Sequence, residues 1–272
     1  MNNGCLITID VEDHGRGDRA PRFVEALAPL LRVLRSNDLR ATFFVVGNLA
    51  SGWRDELRTL RDEGHEIGLH GHTHRFVNRI GPTEFRDDLA RGVDAVGEVL
   101  GSAPVGYRAP YFSITKETPW APDLLQSAGF TYSSSVLPVW NPQSGFPGAP
   151  KAPFRWSNGL IEFPVPVVGV GCFGLPLLGG AYVRLVPAAV VRLAAARARH
   201  TVGAWTYAHP YDFDVDEPYT RLDGQQWWVT RLLFLRRRLM LDRVIGLSAR
   251  SAKPLGELAS DPTFVSRLAL FD

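Results

Sequence analysis

The spacing of apolar residues changes repeatedly along the chain. CLITID (5–10) and ATFFVVG (41–47) are short, nearly unbroken apolar runs and predict buried strands. Between them, Phe23, Leu27, Leu30, Leu31 and Leu34 recur every three or four positions and predict a helix over 22–36. Leu57 and Leu60 predict a second helix ending near Gly64, followed by the strand HEIGLH (65–70), with His65 in a structural place at its far end. Thr83 is placed to cap a helix carrying Phe85, Leu89, Val93 and Val96 on one face. VGYRAP (105–110), TYSSSV (131–136), LIEFPV (160–165) and VGAWTYAHP (202–210) read as later strands, and RVIGLS (243–248) as a last one. PWAPDLLQSAG (119–129), with Pro119 near its start, and VPAAVVRLAAARA (186–198) read as helices. This alternation predicts a parallel sheet with helices packed outside, as an open sheet or a barrel. The Pro- and Gly-rich stretch from about 138 to 186 breaks the rhythm and predicts an insertion.

Composition narrows the function classes. The 272 residues are 45% hydrophobic and 21% charged, a globular balance at a length that one α/β barrel routinely uses. A net charge of +2 gives no footprint for nucleic acid. Cys5 and Cys172 form no disulfide framework, and the first residues carry no basic-then-apolar leader. These features predict a cytoplasmic protein, with the inner membrane surface as the alternative address. Residues 165–183 approach the length of a membrane span, but two prolines and five glycines predict buried strand and loop and no stable membrane insertion. LLFLRRRLMLDR (232–243) predicts an ordinary surface helix with a solvated Arg face.

In parallel α/β folds the chemistry lies at the C-terminal ends of strands. Four segments meet that rule: ITIDVEDHG, GLHGHTH, GYRAPYFS and WTYAHPYDFD. The i,i+4 spacing of His70 and His74 can aim both imidazoles at one ion, while His72 at i+2 faces away and is a pocket neighbour. Strand alternation sends Asp10 and Glu12 to one side; Asp13 is the alternative ligand if the strand ends early. One carboxylate would join the metal, and the other would be the general base for water. Singly, each feature is ordinary: an HxxxH is usually polar surface, an Arg beside Ala-Pro-Tyr a surface ion pair, a His before Pro a core residue. Their joint placement at strand ends carries the weight.

TIDVED, ATFFVVG, GHEIGLHGHTH, GYRAPYF and YAHP, in that order, resemble the polysaccharide deacetylase family, the NodB-homology group or carbohydrate esterase family 4, from about Leu6 to Asp214. The resemblance implies a distorted (β/α) barrel of about seven strands. It makes 1–272 a single catalytic domain, with the insertion at about 138–186 and a C-terminal helical extension at about 222–272. It implies a divalent metal, zinc first, with nickel, cobalt or manganese as alternatives, and hydrolysis of acetyl groups on sugars. Asp10 matches the family's base. Val11 stands where the adjacent metal-binding Asp is usual, so Glu12 takes that role and Asp13 stays open. His70 and His74 match the two metal histidines, with Gly71 replacing Ser or Thr. Arg108, Ala109, Pro110 and Tyr111 match RxPY, with Arg108 orienting Asp10 and the Tyr111 backbone N–H facing the oxyanion. His209 matches the general acid. Ser133 stands where the family often has a supporting Asp, and Asp212 is a nearby substitute. Pro110, Phe112, Trp140 and His72 are the expected substrate contacts. Trp53, Trp156 and Trp205 offer further stacking faces, although most tryptophans in such chains are core, and the 140–156 stretch shapes the pocket; Arg155 within it reads better as a surface ion pair than as an anion site. The implied partner is an acetylated sugar in a polysaccharide, a lipopolysaccharide precursor or a glycoside. Hydrolysis of a non-sugar amide or imide, and sugar binding without catalysis, are the competing readings.

Overall fold

The computed structural model of the protein describes residues 4–12, 22–199, 204–222 and 226–272. Among the described residues nine strands form one sheet: β1 (Leu6–Val11), β2 (Thr42–Val45), β3 (Glu66–Leu69), β4 (Gly106–Tyr107), β5 (Tyr132–Ser133), β6 (Phe154–Trp156), β7 (Ile161–Glu162), β8 (Trp205–Ala208) and β9 (Ala269–Phe271). Their order is β8-β1-β2-β3-β4-β5-β7-β6-β9. The seven strands from β8 to β7 are parallel; β6 runs antiparallel to β7, and β9 lies parallel to β6. This is the α/β architecture with the distorted-barrel strand set that the sequence implied. Among the described residues no ladder joins β7 to β8. The free edge of β8 is met instead by the chain at Leu178–Gly179, whose carbonyl at Leu178 accepts the Tyr207 N–H at 3.3 Å.

All six residues of β1 are buried, because neighbouring strands and flanking layers cover both of its faces. Helices α1 (Phe23–Ser36), α2 (Arg54–Asp62) and α3 (Pro82–Leu100) press Leu27, Leu30, Leu57, Leu60, Phe85, Leu89 and Val96 into the same core. Inside the strand set, Phe44 and Tyr132 fill the space opposite two glycines. A methyl on Gly106 would lie 2.2 Å from the Tyr132 hydroxyl, and one on Gly68 would lie 2.7 Å from the Phe44 ring. Helix α4 (Ala121–Ser127) follows, then α5 (Gly180–Leu185), α6 (Ala188–Arg199), α7 (Pro210–Phe213), α8 (Trp227–Phe234), α9 (Met240–Leu247), α10 (Leu255–Ala259) and α11 (Pro262–Val265).

Several local expectations change. α3 starts with Pro82 at its first turn after Gly81; Thr83 lies inside it and caps nothing. Pro122, not Pro119, sits in the first turn of α4. RVIGLS is helical: Met240, Val244 and Leu247 bury one face of α9, a spacing a short run of β-branched residues concealed. LLFLRRRLMLDR is not one surface helix. α8 ends at Phe234, Arg236 takes a left-handed φ of 58°, and Arg237 is buried with its guanidinium 2.6 Å from Glu217. The 138–186 stretch contains β6 and β7, and the C-terminal segment ends in a strand, β9, rather than in helix throughout. Residues 165–179 are loop without a regular strand and 180–183 open α5, in place of the expected buried strand and loop, and the middle is exposed: Val170 is 87% exposed and Phe173 72%. No helix among the described residues is long and apolar enough to cross a membrane.

Candidate metal and catalytic site

The parallel strands deliver their C-terminal ends to one place. β1 buries Val11 and carries Asp10 and, at its exit, Glu12. β3 ends one residue before His70. The chain then turns through Gly71 (φ 67°) and reaches His74 with φ 54°, a left-handed turn rather than the helical turn that the spacing also allowed. Asp88 on α3 secures this turn. Its carboxylate accepts the backbone N–H of His72 at 2.7 Å and of Thr73 at 3.1 Å, together with the Thr73 hydroxyl.

The two imidazoles and the Glu12 carboxylate converge, with their nearest donor atoms all within 4.8 Å of one another. His70 Nε2 lies 3.8 Å from Glu12 Oε2, and His74 Nε2 touches the same oxygen. His70 Nδ1 donates to the Arg108 carbonyl at 2.9 Å, which leaves its Nε2 lone pair for the cluster. Burial pushes His70 down to about 4, so that lone pair is free at neutral pH. His74 Nε2 is a buried atom whose polar neighbour is that Glu12 oxygen. Two imidazole nitrogens and one carboxylate aimed at a common point fit zinc or a similar divalent ion, with positions left over for water and substrate.

Burial alone would raise Glu12, but His74, His209 and His70 outweigh it and hold the carboxyl well below the usual range. His209 shows the opposite balance. Burial disfavours its charge, yet Glu12, Asp212 and Asp10 push it up to about 9. That value belongs to the bare carboxylate cluster; a cation on Glu12 would draw it down again. His209 Nε2 lies 3.4 Å from Glu12 Oε1, and its Nδ1 lies 3.0 Å from Asp212 Oδ2. Asp212 in turn takes a 3.1 Å hydrogen bond from the fully buried Arg184. Asp212 thus contacts His209 directly, whereas Ser133 bonds Ser135. Ser133 donates to Ser135 Oγ, which receives the Ala109 N–H, while Glu162 accepts the N–H groups of Ser135 and Val136.

Arg108 is buried in the middle of the strand set. It donates to Asp10 Oδ1 at 2.6 Å, to Thr8 Oγ1 at 2.8 Å and to Ser134 Oγ at 3.0 Å. Its guanidinium carbon lies 4.2 Å from the centre of the Phe44 ring and 4.3 Å from that of Trp205. Tyr111 and Phe112 both hold left-handed backbones (φ 58° and 51°), uncommon for aromatic residues and typical of functional loops. The Tyr111 ring stacks on Phe76 at 3.9 Å and lies 4.9 Å from His74, so it walls the cluster while remaining 48% exposed.

Other predicted residues fall elsewhere. Pro110 is buried beneath the loop, and Phe112 packs against Tyr207 and Trp205. The His72 side chain faces Gly47 in the seam between α3 and the 47–53 turn, outside the donor cluster. Trp140 is 61% exposed, and among the described residues no contact ties its ring to the cluster. Trp53, stacked on Phe23, and Trp156 and Trp205 are core residues, not sugar platforms. Arg155 is half-buried in β6 and makes no ion pair among the described residues. Asp13 lies outside the described residues. Pattern reasoning missed Asp88, Glu162 and Arg184. Arg184 alone left a signal, as the first charge after Glu162 in a long apolar stretch.

Comparisons with known proteins address the two halves of the chain separately. Residues 7–133 match the polysaccharide deacetylase family, and residues 134–250 match a domain of unknown function, DUF3473. The second segment is the one that carries Arg184, His209 and Asp212. A peptidoglycan deacetylase of Helicobacter pylori is 30% identical over 108 residues, which are 40% of this chain and 36% of that protein. A chitin deacetylase of Colletotrichum lindemuthianum is 36% identical over 89 residues, 31% of this chain and 36% of that one. The chain spans about a third of the length of the curated relatives it matches. A crystal structure of a candidate polysaccharide deacetylase from Mycobacterium smegmatis shares the fold, with a TM-score of 0.61 and 22% identity over 99% of this chain and 94% of that one. The strand ends that carry Asp10, Glu12, His70, His74 and Arg108 all lie within residues 7–133, the segment that matches the polysaccharide deacetylase family.

Proposed function

We propose that this protein is a metal-dependent hydrolase that removes the N-acetyl group of an acetylated sugar, releasing acetate. The observation that carries the proposal is the convergence of three elements at one group of strand ends: the Glu12–His70–His74 donor set, the Asp10–Arg108 pair and the His209–Asp212–Arg184 chain. A divalent ion, zinc by the softness of the donors, would be held by Glu12, His70 and His74 and would supply Lewis acidity toward an amide carbonyl and toward water.

The protein's own groups divide the proton work. Asp10 accepts the proton of the attacking water while Arg108 fixes its Oδ1. The Tyr111 backbone N–H donates to the developing oxyanion, a contact typically worth about 3 kcal/mol. His209 passes a proton from Nε2 to the leaving nitrogen; Asp212 on Nδ1 favours the charged ring and holds it for that transfer. Water and the N-acetyl sugar thus become acetate and the amino sugar. The buried Cys5 and the exposed free Cys172 suit a reducing compartment, which supports a cytoplasmic reading.

Metal analysis combined with acetate release tests this. The wild type is expected to bind about one equivalent of metal and to release acetate from N-acetylglucosamine conjugates, not from cyclic amides or imides. Asp10→Asn and His209→Ala should lose about 10²–10⁴-fold in kcat. Full activity in both variants overturns the assignment; turnover of the cyclic amides alone moves the protein to the other reaction class.

A further inference from the structure

The uncharged stretch that sequence alone would bury instead forms a projecting apolar tip. The strand-like pairing of Val168 with Leu175 closes a hairpin whose end is Val170, Phe173 and Leu175, exposed by 87%, 72% and 52%. Trp140 stands beside it, 61% exposed, and its backbone N–H donates to the Cys172 carbonyl at 2.7 Å. Between Glu162 and Arg184 the chain carries no charge. At the base of the hairpin a cleft of about 190 Å³ is lined by Lys151, Val167, Gly169 and Arg197 among others, with no carboxylate on its wall. Lys151 Nζ reaches the Gly169 carbonyl at 3.4 Å, so a cation sits against the hairpin stem.

We propose that this hairpin is a membrane-surface anchor: its tip enters the interfacial layer of a bilayer, and Lys151 and Arg197 meet anionic headgroup phosphates. The arrangement follows the order of a bilayer interface. Aliphatic and Phe side chains lie outermost, a Trp stands at the flank, and cations sit one layer behind. Size argues against a second copy of the chain as the occupant. With Trp140 the tip offers roughly 350–450 Å² of apolar surface, taking ~150–250 Å² for a fully exposed aromatic and about 100 Å² for an aliphatic side chain. A stable protein partner needs about 800 Å² from each side. A convex tip of this area suits a fluid surface better than a fixed one. The hairpin also leads within a few residues to Gly180, where an added methyl would lie 3.9 Å from the His209 ring. Docking would therefore bring the catalytic rim close to the lipid headgroups.

Vesicle co-flotation of the full chain tests the anchor, with no substrate and no metal requirement. Wild type should float with vesicles of phosphatidylcholine containing about a third phosphatidylglycerol, and much less with phosphatidylcholine alone. Val170→Asp with Phe173→Asp should weaken flotation at least about tenfold while leaving the circular dichroism spectrum and melting temperature unchanged, since both side chains are exposed. Lys151→Glu with Arg197→Glu should remove the preference for anionic vesicles and its salt dependence. Wild type that stays at the bottom of the gradient with both vesicle types overturns the proposal. So does flotation that the Asp pair leaves intact. A concentration-dependent dimer in analytical ultracentrifugation that the Asp pair abolishes would assign the tip to self-association and likewise overturn it.

Discussion

Arg108→Met offers the sharpest check on the energetics of the site. The substitution keeps most of the stem's volume, so the cavity contribution is small. What it removes is a guanidinium with no exposure that donates to Asp10, Thr8 and Ser134 and lies between two aromatic rings. Asp10 is itself buried and would be left without its cation. Breaking a buried pair from one side typically costs 3–5 kcal/mol, against total stabilities of about 5–15 kcal/mol. Urea unfolding of Arg108→Met at fixed metal concentration and neutral pH should show a loss of about 4 kcal/mol. Asp10→Asn in the same background should recover part of it, because the orphaned charge is gone. The double-mutant cycle should give a coupling of at least about 2 kcal/mol. A single variant within about 1 kcal/mol of wild type, or strict additivity in the cycle, would refute the claim that the pair is a buried, mutually dependent unit.

Three further outcomes follow from named contacts. Asp88→Ala removes the carboxylate that holds the His72–Thr73 backbone, so metal affinity measured by calorimetry should fall about 10–100-fold although no ligand has changed. Asp212→Asn deletes a charge that raises His209, so the alkaline limb of the pH–rate profile should shift to lower pH and kcat should fall; an unmoved limb would assign that limb to another group. His65 is buried with Nδ1 accepting the Ala41 N–H, and burial pushes it down to about 4 from an unfolded value near 6.5. Its neutral form therefore stabilises the fold fully above about pH 6.5, and that contribution, about 3 kcal/mol at most, is lost as pH falls from 6.5 to 4. His65→Gln should flatten the stability curve in that window, and an unchanged slope would count against the burial argument.

How much of this was legible beforehand varies with the kind of interaction. The helical faces of α1 and α3 and the apolar runs of β1 and β2 follow from local periodicity, and the structure reproduces them within a few residues. α9 was misread because VIGL fits either period, and only its burial against neighbouring helices decides between them. The pairing of His70 with His74 was legible from their spacing, although the turn that presents them depends on left-handed residues at Gly71 and His74. Aromatic residues misled most. Trp53, Trp156 and Trp205 look the same in sequence as sugar platforms, and all three are core.

The sequence by itself determined the order of strands and helices from β1 to β5, the placement of Asp10, Glu12, His70, His74, Arg108 and His209 at strand ends, and the family resemblance they carry. These are local properties, set by side-chain period and by what can follow an apolar strand. Only the tertiary structure decided the partnerships. It brought Asp88 to the histidine turn across sixteen positions, Arg184 to Asp212 across twenty-eight, and Glu162 beneath the Ser134–Val136 segment. It also decided that the apolar 165–183 stretch turns part of itself outward. A polar group at a distant position becomes a partner only when packing removes both groups from water, and no local pattern encodes which two will meet there.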